Sequence, residues 1–227
     1  MGATTLGDLG PFFVVETSVA DPALRPLADL LEGDGLAERV AWTGEALSSR
    51  AGVVRRSEPG TPARVEVEER VAASTASLGV FARLLSPVIG AALLGVDAPG
   101  VDGLHWQPVD GGPLRLAADA WVRPDVGAVL GQAVAPLVRR LDDEHGVSTK
   151  IGWGNAVSAV HGAARMAAQA DPDLSREAGR LLRELLEHPL LTGTADVGPP
   201  FVRRSCCLYY RIPGGGYCGD CVLAHSG

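Results

Sequence analysis

The sequence predicts an α+β fold that is predominantly helical. A helical body carries one small β-hairpin and ends in an irregular C-terminal loop. Three observations predict it. Apolar residues recur at threes and fours over most of the chain between Leu36 and Glu187, the period of helices buried on one face. Leu104 to Ala117 departs from that period and alternates around a Gly-rich turn. All four cysteines, Cys206, Cys207, Cys218 and Cys221, fall in a final segment dense in Gly, where neither period holds.

The elements follow in order. Phe12-Phe13-Val14-Val15 reads as a strand or a packing tether, and Asp21-Pro22 as an N-cap with proline at the first helical position. A short helix then runs to Leu30 or Leu31 and stops at Gly33-Asp34-Gly35. A second runs from Leu36 to about Ser48. Residues 51–62, rich in Gly, Pro, Arg and Ser, read as a loop, and Val65-Glu66-Val67 alternates only briefly. Val71, Thr75, Leu78, Phe81, Leu85, Val88 and Ala92 mark the next helix, kinked or restarted at Pro87 and ended by Gly95.

Leu104–Val109 and Leu114–Ala117 pair around Asp110-Gly111-Gly112. His105 is read as a half-buried strand residue, and Trp106 and Trp121 as core or pocket wall. From Pro124 to His145 a helix buries Val126, Val129, Val134, Leu137, Val138 and Leu141, bends at Pro136 and closes at Gly146. Ser148 caps a helix from Thr149 to about Gln169 with Trp153, Val157, Val160, Ala164 and Ala167 on one face. Asn155 is its polar oddity, read as an inter-helix hydrogen bond or as a contact to the cysteine loop or a substrate. Asp171-Pro172-Asp173 opens a last helix, and residues 189–200 form a link.

Composition narrows the function. With 46% hydrophobic residues, 227 residues can bury a real core. The chain divides into a mainly helical body, 1–198, and a cysteine segment, 199–227. The net charge of −7 argues against a nucleic-acid protein. Three Arg against one Asp give the segment +2, leaving −9 on the body. That basic tip favours an anionic partner, unless its Arg side chains pair with carboxylates of the body. The longest unbroken apolar run, Val88 to Val96, is short of the roughly 20 residues a membrane span needs. No signal peptide is recognisable. No dinucleotide fingerprint, P-loop, H-E-x-x-H or G-x-S-x-G is present.

The cysteine spacing is C-C-x10-C-x2-C. Disulfides suit small secreted domains, and a vicinal Cys206–Cys207 bridge would be strained. Soft thiolates select zinc or iron–sulfur clusters. Cys218 and Cys221 make one C-x2-C turn of the kind that grips zinc, whereas consecutive Cys206 and Cys207 diverge. Two metal centres accept divergent thiols more readily than one tetrahedral ion, which favours [2Fe–2S] over structural zinc. His225 alone cannot make a Rieske-type site, which needs two His ligands. Gly214, Gly215, Gly216 and Gly219 allow tight turns and close backbone approach to the sulfurs.

The stretch Arg203-Arg204-Ser205-Cys206-Cys207-Leu208-Tyr209-Tyr210-Arg211, followed by Pro213-Gly214-Gly215-Gly216-Tyr217-Cys218-Gly219-Asp220-Cys221, closely resembles the cluster motif of the FhuF-like ferric siderophore reductases. Trp153-Gly154-Asn155, with Ala163-Ala164-Arg165 on the same predicted helix, is a second, weaker match. The likeness is diffuse over the N-terminal half.

The resemblance implies a [2Fe–2S] cluster on Cys206, Cys207, Cys218 and Cys221. It implies no catalytic side chain beyond those ligands. Arg203, Arg204, Tyr209, Tyr210, Arg211, Asn155 and Trp153 become candidates for contact with the cluster surroundings or the substrate. The implied activity is one-electron reduction of a ferric siderophore, releasing Fe2+ in the cytoplasm, free or at the inner face of the membrane. The implied partners are the ferric siderophore and an external electron donor, ferredoxin-like or a reductase. Neither nucleic acid nor an integral membrane segment is expected. Two rival classes stay open: an iron–sulfur relay or sensor without siderophore, and a zinc-stabilised interaction module.

Overall fold

The protein, seen in a computed structural model, is described over residues 4–56, 66–109 and 112–225, without the side chains of 51–56. The fold is predominantly helical α+β. Residues Phe12–Val15 act as a tether rather than a strand. Phe13 is fully buried, and the buried Arg83 donates to the carbonyls of Phe12 and Val14. Burial lowers the pKa of that guanidinium to about 10. Beyond the tether, Glu16 makes a single parallel bridge to Ala117.

Asp21-Pro22 does not open a helix. Asp21 accepts from the Ala23 N–H within a turn and pairs with Arg115 at 2.5 Å. The next residues are drawn into strand β1 (Arg25–Pro26), so helix α1 (Leu27–Glu32) starts only after Pro26. Strand pairing thus overrides a local cap signal. Helix α2 (Gly35–Arg56) continues past Ser48 and turns the first part of the expected loop into helix. Residues 49–56 contain no proline, and Gly52 costs a helix only about 1 kcal/mol. The rest of that expected loop, 57–62, lies outside the described residues.

Helix α3 (Glu69–Leu94) runs unbroken through Pro87, contrary to a restart there, and ends at Gly95 with φ +68°. Pro87 is buried, so packing on all sides holds the turn that lacks its N–H. Among the described residues α3 is the one helix long and apolar enough to cross a membrane, but most of that apolar stretch is buried inside the protein. It is the core helix, flanked by α2 and by the later helix α6 (Thr149–Ala170).

Strand β2 (Ala98–Pro99) precedes the hairpin of β3 (Leu104–Gln107) and β4 (Arg115–Ala118). Its register sets Trp106 opposite Leu116, and β1 joins as a third antiparallel strand. Trp106 is core, and His105 is half-buried with Nδ1 3.2 Å from the Gly103 carbonyl. Asp110 and Gly111 of the expected turn lie outside the described residues. Strand β5 (Trp121–Val122) pairs with β2 and leaves Trp121 half-buried.

The helix expected over 124–145 is three pieces: α4 (Val126–Val129), a π turn (Leu130–Val134) and α5 (Ala135–His145). Asp125, not Pro124, caps it by accepting from the Ala128 N–H at 2.9 Å. The π turn precedes Pro136, whose ring cannot fit the ordinary i−4 carbonyl geometry. All six apolar positions named for this stretch are buried. Helix α6 follows Ser148, and a 3-10 turn (Pro172–Leu174) leads into α7 (Ser175–Glu187). The expected link 189–200 instead contains β6 (Ala195–Val197), which pairs with β7 (Phe201–Arg203).

Candidate metal centre

Strand β7 delivers the chain to the cysteines. After it, Leu208 takes a left-handed conformation, φ +66°, which costs a non-glycine residue about 1–2 kcal/mol. In return its N–H donates to Cys206 Sγ at 3.3 Å, and the Tyr209 N–H supports Cys207. Gly214 (φ +77°) and Gly216 (φ +67°) then reverse the chain, and a Cβ on Gly215 would lie 2.7 Å from the Tyr209 carbonyl. The reversal brings Cys218 Sγ to 3.5 Å from Cys207 Sγ. The Cys221 N–H donates to the Cys218 carbonyl at 3.2 Å, closing the C-x2-C turn. Cys207 and Cys221 are buried, while Cys206 and Cys218 are partly exposed, and all four are free thiols.

Arg203 organises the surroundings. Its side chain is 1% exposed. Nη2 donates to Cys218 Sγ at 2.8 Å and Nη1 to Asn155 Oδ1 at 2.7 Å. Nε lies 3.1 Å from Asp220 Oδ2 without hydrogen-bond alignment, so that contact is Coulombic. Asn155, fully buried on α6, donates from Nδ2 to the Ser74 carbonyl, Ser74 Oγ and Ser77 Oγ at 2.8–3.1 Å. Ser74 Oγ donates on to the Cys207 carbonyl at 2.7 Å. One buried polar network therefore ties α3, α6 and the cysteine loop together. Asn155 bonds between helices, and its Oδ1 accepts from Arg203 at the head of the cysteine segment.

This network sets the thiol chemistry. The hydrogen bond between Cys207 and Cys218, with the Arg203 charge beside it, lowers the Cys207 thiol despite burial and raises Cys218. Burial raises Cys206, and charge on Cys207 and Cys221 adds to the rise. Burial also works against the Arg203 cation, but Asp220, Cys207 and Cys218 more than offset it, and its pKa is raised.

The other expected residues fall around this centre. Arg204 pairs with Asp196 and Arg211 with Glu68 at 2.8 Å, so the basic tip is matched by carboxylates of the body. Tyr209 is half-buried against the core, whereas Tyr210 is exposed. Trp153 lines a cleft beside Ser205. His225 is exposed, and His105 sits on the hairpin with its Nδ1 at the Gly103 carbonyl.

Several contributors escaped the sequence reading. Ser74 and Ser77 form a buried polar i,i+3 pair among the alanines of α3. Gly154 stands between Trp153 and Asn155 where an added Cβ would fall on Ser205 Oγ, well inside van der Waals contact. His161 stacks on Phe201 with ring centroids 3.9 Å apart. Nothing in the linear order signals that pairing.

The donor set fits an iron–sulfur cluster. Two thiolates on one tetrahedral metal at about 2.3 Å sit about 3.8 Å apart, close to the Cys207–Cys218 separation of 3.5 Å. Four cysteine thiolates are the ligand set of a [2Fe–2S] cluster.

A helical scaffold presenting four free thiols, two of them beside a buried guanidinium, carries the donor set of an iron–sulfur protein. Residues 203–223 match the family model described as the FhuF 2Fe-2S C-terminal domain, which makes the cofactor a [2Fe–2S] cluster and bears out the resemblance over that segment. Comparison with curated proteins gives no match to the chain.

Proposed function

We propose that the protein is a cytoplasmic ferric siderophore reductase in which Cys206, Cys207, Cys218 and Cys221 hold the [2Fe–2S] cluster. The observation that carries this reading is the family match over 203–223, set on a thiol group whose surroundings suit electron transfer. When bound, the cluster supplies single electrons, at about −400 mV in plant-type centres. Arg203 places fixed positive charge at Cys218 Sγ, where negative charge grows on reduction. Partly exposed Cys206 and Cys218 give the site an edge toward solvent, and the buried Cys207 and Cys221 anchor it.

The substrate is Fe3+ wrapped in hard oxygen donors. One electron converts it to Fe2+, which such donors hold far more weakly, so iron leaves and the chelator survives. Each Fe2+ released corresponds to one electron lost by the protein, which an external one-electron donor, ferredoxin-like or a reductase, restores. No side-chain acid, base or nucleophile is needed.

The test uses anaerobically purified protein. Dithionite should produce the paramagnetic resonance signal of a reduced [2Fe–2S] centre. Mixing photoreduced protein with a ferric tris-hydroxamate or ferric citrate should bleach that signal, with one Fe2+ captured by a ferrous chelator per electron. Cys218→Ser should abolish the visible absorption while far-UV dichroism stays helical. Colourless protein containing zinc, or a reduced cluster that persists beside intact Fe3+ complex, would overturn the reading.

A further inference from the structure

One cleft touches the cysteine segment directly. It encloses about 340 Å³, within the roughly 300–1,000 Å³ of small-ligand sites. Its walls come from the start of α6 (Thr149, Lys150, Trp153), from the turn before β6 (Thr194), and from Arg204 and Ser205. Ser205 precedes Cys206 in the chain, so a residue of the cleft wall is the sequence neighbour of a partly exposed cysteine.

The charge of the cleft is one-sided. Among the described residues none that lines it is acidic, and two are cationic. Arg204 is held in place by Asp196, whose carboxylate lies outside the lining. Lys150 is exposed and has no ion-pair or hydrogen-bond partner among the described residues. It is also the sole lysine among the chain's 20 basic residues. An acidic protein that sets an unneutralised ammonium, an arginine and an indole around a hollow beside its electron-transfer segment has built an anion site.

We propose that this cleft binds the electron acceptor, and that the acceptor is an anionic, carboxylate-bearing ferric chelate. Lys150 meets the carboxylates with the one unpaired charge among the described residues of the lining, and Arg204, already balanced by Asp196, adds only hydrogen bonds. Trp153 forms the apolar wall, and the Ser205 side sets the chelate next to the cysteine segment. This inference rests on the reductase reading for the identity of the ligand, but not for the existence of the site.

The single lysine makes the test clean, because amine acetylation can modify only Lys150 and the chain N-terminus. Gallium(III) citrate serves as the probe, since it mimics the ferric complex but cannot accept an electron. It should slow acetylation of Lys150, read by mass spectrometry, whereas a neutral gallium(III) tris-hydroxamate should not. By calorimetry, Lys150→Ala should weaken gallium(III) citrate about 5- to 30-fold, and Lys150→Arg should restore most of the affinity. Unchanged labelling together with unchanged affinity in Lys150→Ala overturns the site. Ferric citrate that reoxidises wild type and Lys150→Ala equally well also overturns it and leaves the reductase reading intact. Conversely, gallium protection without any reoxidation by ferric citrate sinks the reductase reading and keeps the anion site.

Discussion

The Arg203 guanidinium donates to Asn155 Oδ1 at 2.7 Å, across 48 residues of chain, and with its other terminal nitrogen touches Cys218 Sγ at 2.8 Å. One side chain therefore both locks the cysteine loop to α6 and sets the field at the sulfurs. The consequences separate by experiment.

Replacing Arg203 with Gln removes the positive charge and keeps some hydrogen-bonding capacity. The reduced, more negative state loses more than the oxidised one, so the midpoint potential should fall. A charged hydrogen bond of about 1.5–3 kcal/mol, half of it differential between the two states, corresponds to about 30–65 mV. Arg203→Lys should recover part of the shift. A redox titration of the visible band measures both.

Asn155→Ala strips partners from Arg203 Nη1 and from the Ser74 and Ser77 acceptors, all buried. Leaving such groups unsatisfied costs about 2–4 kcal/mol, or about 5–15 °C in Tm at this chain length. Thermal unfolding followed by circular dichroism checks it. A loss below about 1 kcal/mol would mean that the network is not closed as described.

Gly154→Ala should raise intrinsic helix propensity by about 0.5–1 kcal/mol. Here the sign should reverse, because the new Cβ falls on Ser205 Oγ and lies 3.2 Å from Ser205 Cβ. The expected result is a helical protein that loses its visible absorption faster in air. Adding Ser205→Gly should rescue retention, a pattern that general destabilisation of α6 would not give.

Burial holds the His161 imidazole below its ordinary 6.5. Asp220 opposes this, and Arg165 adds to it. An unfolded chain takes the proton near 6.5, whereas the folded one resists. Stability from this group is therefore complete above 6.5 and declines as pH falls toward the folded value. His161→Phe keeps the ring on Phe201 and removes the titration, so its Tm should vary less between pH 7 and pH 5 than that of wild type.

Much of this was legible in linear order. Apolar period marked the long helices, alternation marked β3 and β4, and cysteine spacing with its flanking residues marked the cluster segment. Those features are carried by neighbours a few residues apart, and local spacing is what a sequence displays. The limits of α1, α2 and the broken α4–α5 region were less legible, because strand pairing at Arg25 and the geometry before Pro136 shifted boundaries that cap and turn residues alone had placed elsewhere.

The chain order settled which residue types the centre would use and how they are spaced. Folding settled which of the three segment arginines faces sulfur. Arg203, Arg204 and Arg211 look alike in a string, yet only the first is buried on thiols, while the other two pair with carboxylates at the surface. The reason is desolvation. A buried cation must be met by partners converging from several elements, and Asn155, Asp220 and Cys218 are adjacent only once α6 and the cysteine loop have packed.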